Sequence, residues 1–89
     1  MIILTKGESM LPTLQENEKY EIDKAKMDTL KVGDIIVFKD NNKIICHRIY
    51  KVFRMKSGNI FFQTKGDNCI EPDTIVVTKD MIIGKIRIN

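Results

Sequence analysis

The chain contains no tryptophan, a single histidine, two prolines and two cysteines. With only two tyrosines and four phenylalanines besides, it lacks the aromatic platform on which bases stack in single-stranded nucleic-acid binders. Neither sign of charge predominates: 15 basic residues against 12 acidic ones leave +3. So small and scattered an excess makes no phosphate-tracking stripe, and no nucleic-acid partner is expected. Cys46 and Cys69 show no C-x-x-C spacing, and one histidine does not complete a zinc ligand set with them. No metal or cofactor is therefore expected, and two reduced thiols are the favoured state of the cysteines. Long apolar runs are missing too. The longest are of four residues, Ile-Ile-Val-Phe at 35–38 among them, far short of the roughly 18–20 residues of a membrane-spanning helix. The opening MIILTK is too short for the apolar region of a secretory signal. Taken as it stands, the chain reads as cytoplasmic, reaching a membrane only through a trimmed anchor or a partner.

What is present is β-like. Eighty-nine residues are read as one domain, 1–89, with a thin core. Short apolar and β-branched runs alternate with turn signals, the pattern of an all-β barrel or sandwich. Strands are expected at 2–5, 19–23, 34–39, 43–54, 59–64, 75–77 and 82–88. Asp40-Asn41-Asn42 and the Met55–Gly58 segment supply hairpin turns. No stretch reads as a long helix; 24–34 has room for one short turn before Gly33 stops it.

Three segments hold the polar residues that such a core does not need. In GESMLPTL, 7–14, Ser9 follows a strand in a glycine-led turn. A nucleophilic serine needs an exposed hydroxyl and nearby backbone N–H groups, and a tight turn supplies both. A serine capping one helical turn at 10–14 fits the same residues. In CHRIYKV, 46–52, His47 lies in a strand whose alternation puts Ile45, His47, Ile49 and Lys51 on one face. A structural, partly buried histidine fits there as well. In TKGDNCIEPD, 64–73, Asp67 and Asp73 share one loop, as Asx-turn residues or as an acid that orients a histidine. Serine, histidine and aspartate on three separate segments are compatible with a catalytic triad, but spacing alone does not choose between these readings.

A resemblance chooses. GESMLPTL resembles the nucleophile box of type I signal peptidases and of the related repressor-cleaving peptidases. VGDIIVF (32–38) resembles the box that follows it, and CHRIYKV the box that holds the general base. TKGDNCIEPD and IIGKI (82–86) are similar to the last two boxes of the signal-peptidase pattern. The five arrive in family order and cover residues 5 to 86. Histidine at 47, where the Ser-Lys enzymes have lysine, resembles the endoplasmic-reticulum, archaeal and sporulation-type branch. Three features depart from the signal-peptidase pattern, one of them the acidic loop, which Cys69 and Pro72 make unusual. Gly7 stands where those enzymes carry a serine that helps the oxyanion, and their membrane anchor has no counterpart here.

The resemblance implies a strongly bent antiparallel sheet or partial barrel, and a serine endopeptidase needing no cofactor. Ser9 would be the nucleophile, His47 the base, Asp73 the acid that orients it and Asp67 a supporting or alternative acid. Met10 and Gly7 would border the substrate, an extended signal- or leader-like peptide with small apolar residues in its pockets. Lys51 and Lys65 are the rival bases, Lys51 the stronger because it shares the face of His47. The alternative functions are a self-cleaving regulatory module and an inactive peptide-binding module of the same fold.

Overall fold

The apolar run at 35–38 becomes the centre of the molecule. Successive strand residues point to opposite faces, so an unbroken apolar run suits a strand covered on both sides. Ile35 and Val37 pack on one face with Met10, Leu14, Ile22 and Ile86. Ile36 and Phe38 pack on the other with Leu30, Ile49, Phe62 and Val77. Among these four strand residues, exposure does not exceed 2%. The molecule is thus one sheet with a small core on each face.

The computed structural model describes residues 1–88. Its strands are β1 (Ile2–Leu4), β2 (Lys19–Asp23), β3 (Ile35–Asp40), β4 (Lys43–Arg54), β5 (Ile60–Lys65) and β6 (Ile82–Ile86). They form one sheet in the order β1-β2-β6-β3-β4-β5, and every neighbouring pair is antiparallel. β1 and β5 are edges, so the sheet stays open. Bulges between Val37 and Phe38 opposite β6, and between Ile49 and Lys51 opposite β5, add the local bend and twist that an extra residue brings. The all-β, bent-sheet expectation holds. Among the described residues the only helical elements are two 3-10 turns, Met27–Thr29 and Lys79–Met81, and no helix is long and apolar enough to cross a membrane.

Two expectations change. The run at 75–77 is no strand but a single bridge, Val77 against Phe62, because the chain curls into the 3-10 turn Lys79–Met81 almost at once. Lys51 does not share the face of His47. The bulge leaves Tyr50 unpaired, and beyond it Val52, opposite Phe62, continues the inward face while Lys51 is exposed. One inserted residue reverses the phase of a two-residue repeat.

β4 is the element that makes the site. Residues 43–48 pair with β3, and residues 48–54 pair with β5. Arg48 is where the strand changes partners. Before it, residues 43–47 are paired on one side only, leaving an open strand edge that ends beside His47.

Candidate active site

Ser9 lies in the turn that follows β1. Leu11 N–H donates to Glu8 O at 3.1 Å and Leu14 N–H to Met10 O at 2.9 Å, which makes 8–14 a compact turn. Gly7 opens it at φ +82°, a left-handed conformation that L side chains rarely adopt. A serine at position 7 would be strained, which is a physical reason for this departure from the signal-peptidase pattern. The Ser9 hydroxyl does not cap the turn. Its partner is His47 Nε2, 3.0 Å away.

The other ring nitrogen of His47, Nδ1, is 2.5 Å from Asp73 Oδ2. A carboxylate only accepts, so Nδ1 carries the hydrogen and Nε2 is left to accept from the Ser9 hydroxyl. Asp73 is itself anchored to β5. The Thr64 hydroxyl donates to Oδ2 at 2.7 Å and Gln63 Nε2 to the Asp73 carbonyl at 3.2 Å. Asp73 N–H in turn donates to Thr64 O at 2.8 Å. The His47 side chain is 12% exposed and that of Asp73 23%, so the pair is shielded but reachable.

Asp67 points elsewhere. Arg48 Nε and Nη2 reach its two oxygens at 2.8 and 2.7 Å, and the Thr13 hydroxyl donates at 2.6 Å. The Arg48 guanidinium holds the Asp67 carboxyl below the usual carboxylate range against the opposing effect of burial, with a smaller contribution from the Thr13 hydroxyl. Arg48 Nη1 also donates to Gly33 O at 2.7 Å. The structure therefore brings Ser9, His47 and Asp73 together and sets Asp67 apart, as a tie between β4, the Ser9 turn and the acidic loop. Lys65 donates to Gly66 O at 3.4 Å.

The loop carrying Asp67 closes over the site through a glycine. A Cβ on Gly66 would stand 2.7 Å from Ser9 O, 2.8 Å from Cys69 Sγ and 3.2 Å from His47 Nε2. Only a residue without a side chain lets this backbone lie against the nucleophile and the imidazole at once. Sequence reasoning missed Arg48, Thr64, Gly66 and Asn68 as site residues. Thr64 had a signal: it shares the inward phase of β5 with Phe62, and a buried polar residue in strand phase needs a partner. Gly66 and Asn68 had none, since only tertiary contact gives them a role.

A groove of about 510 Å³ runs beside these residues, lined by Ile3 and Leu4 of β1, Met10 and Leu14 of the turn, Ile44 and Cys46 of β4, and Gly7, Ser9 and His47. Met10, only 5% exposed, belongs to its floor, and its sulfur accepts from Asp67 N–H at 3.3 Å. Burial pushes the Cys46 thiol up to about 12, so it stays protonated at neutral pH and does not compete as a nucleophile. Both cysteines are free. A hollow of similar size, 540 Å³, lies between Met27, Ile60 and Lys79 and holds no serine, histidine or cysteine. Among the described residues, no group of three or more His, Cys, Asp or Glu is placed to hold a metal ion.

Comparison with curated proteins finds signal peptidase complex catalytic subunit SEC11C of Canis lupus familiaris, Homo sapiens and Mus musculus. Each is 33% identical over 69 residues, covering 75% of this chain and 36% of the relative. The chain is thus related to signal peptidase catalytic subunits and spans about a third of their length. No protein-family model matches it, and no solved structure does.

Proposed function

We propose that this protein is a serine endopeptidase that cleaves an extended, signal- or leader-like peptide with Ser9, His47 and Asp73. The observation that carries the reading is the continuous chain of contacts from Asp73 through both ring nitrogens of His47 to Ser9 Oγ, at 2.5 and 3.0 Å, on the wall of an apolar groove. The relation to signal peptidase catalytic subunits supports it.

The chemistry follows from the proton inventory. Ser9 Oγ attacks the scissile carbonyl carbon while its proton passes to Nε2, leaving a tetrahedral oxyanion and an imidazolium held by Asp73. Collapse breaks the C–N bond, and Nε2 gives its proton to the leaving amine. Water then adds to the Ser9 ester with His47 again as base, releasing the acid and restoring the hydroxyl. The substrate lies as an extended strand against the open edge of residues 43–47, using main-chain bonds for affinity and side-chain pockets for choice. The apolar walls, Ile3, Leu4 and Ile44, suit small apolar residues on the N-terminal side of the scissile bond.

The test is intact-mass analysis of wild type and Ser9→Ala, alone and with leader-like peptides carrying alanine before the cleavage point. We expect wild type to cut the peptide and keep its own mass, and Ser9→Ala to stay folded and cut nothing. A wild type that shortens itself is a self-cleaving module; one that changes neither mass is a binder. A Ser9→Ala protein as active as wild type overturns the reading.

A further inference from the structure

An acyl transfer at Ser9 generates an oxyanion, and Gly7 has no hydroxyl to offer it. The donors left are backbone N–H groups. Neither Ser9 N–H nor Met10 N–H is donated to any group among the described residues. In a trans peptide the N–H points opposite to the preceding C=O, and among the described residues only Leu11–Pro12 is cis. The direction of Ser9 N–H is therefore set by the Glu8 carbonyl, and that of Met10 N–H by the Ser9 carbonyl.

Both carbonyls are held by one residue. Asn68 Nδ2 donates to Glu8 O at 3.0 Å, and Asn68 N–H donates to Ser9 O at 2.8 Å. Glu8 O also accepts from Leu11 N–H at 3.1 Å, so both of its lone pairs are used and the peptide plane has little freedom to rock. Gly66, two residues before Asn68, permits the close approach that these bonds need. We propose that Asn68 is a positioning residue for the oxyanion site: from the acidic loop it fixes the two peptide units flanking the nucleophile, its side chain aiming Ser9 N–H. This deepens the serine-peptidase reading and rests on it.

Asn68→Ala deletes the bond to Glu8 O and keeps the backbone bond to Ser9 O. Asn68→Asp keeps the shape but presents an acceptor where a donor is needed. Losing an oxyanion donor outright costs about 10²–10³ in rate; misaiming one should cost less, about 10–10²-fold in kcat. We expect that loss in both variants, with KM within about twofold of wild type, because the ground-state carbonyl gains little from the donor. A peptide boronic acid with alanine at the boron-bearing position supplies the independent reading, since its tetrahedral adduct places an oxygen where the oxyanion forms. Its affinity should fall by the same factor as kcat/KM in both variants and vanish in Ser9→Ala. Wild-type kcat in both variants overturns the inference, and so does a loss confined to KM or one that boronate affinity does not follow. A wild-type protein that neither cleaves peptide nor binds the boronate ends the peptidase reading and this inference with it.

Discussion

His47 makes two contacts of opposite sense, and each depends on the other. Because Asp73 accepts at Nδ1, Nε2 is free to take the Ser9 proton; reversing the tautomer would lose both bonds. No lysine offers the same arrangement. Lys51 is exposed beyond the bulge and lies over the Tyr50 ring, 5.8 Å from its centre, and Lys65 is bound to the Gly66 carbonyl. A lysine base would also need deep burial to lose its proton near neutral pH. His47→Ala should therefore lower kcat about 10²–10⁴-fold, the usual worth of a positioned acid-base group, while Lys51→Ala stays within about twofold of wild type. Steady-state kinetics of the two variants on one peptide decides. Loss in Lys51→Ala with His47→Ala largely active would overturn the proposed His47 base in favour of a Ser-Lys dyad.

At the scale of elements, the loop from Gly66 to Asp73 carries two aspartates that spacing alone does not tell apart. Both follow β5, both are three residues or fewer from a turn signal, and either fits an orienting acid. What separates them is the packing of their neighbours. Thr64, buried on β5, pulls Asp73 toward His47, whereas Arg48, one residue after His47 and so on the opposite face of β4, draws Asp67 away. Asp73→Asn should cost up to ~10⁴ in kcat, as losing a tautomer-setting acid can. Asp67→Asn should cost at most about 10²-fold, as for a group that acts on others' orientation, and should be seen chiefly in stability. The Asp67 carboxyl is held below its ordinary value of 3.8 by Arg48 and Thr13. A carboxyl lowered by folding contributes stability that is present above its unfolded value and lost as pH falls through its folded one. Urea unfolding below about pH 4 should accordingly weaken wild type more steeply than Asp67→Asn, and the two curves should converge in acid. Parallel curves down to pH 2 would mean that the Arg48 tie contributes nothing.

For the whole molecule, legibility followed the range of the forces involved. Strand periodicity is local, so six of the seven expected strands form and β2 and β4 keep their expected bounds. The bulge at Tyr50 is set by the pairing of β4 with β5, which no local pattern encodes, and it moved Lys51 to the other face. The order β1-β2-β6-β3-β4-β5 is likewise long-range, yet it is what puts β1 and the open edge of β4 on the two sides of one groove. A site so assembled is only as firm as the sheet, and the sheet has little to spare. A chain of this length is stable by about 4–13 kcal/mol in total, divided here between two small cores. Phe38, fully buried in the central strand, is the side chain on which the second core leans most. Phe38→Ala should cost about 3–5 kcal/mol through lost transfer energy and the cavity left behind, a large part of all there is. Phe53, on the outer half of β4 and 43% exposed, should cost about 1 kcal/mol or less as Phe53→Ala, mostly its cross-strand contact with Phe61. Urea midpoints measured side by side test the contrast. Equal losses would mean that the two cores do not carry the fold as their burial indicates, and that the groove is held by something other than the central strand.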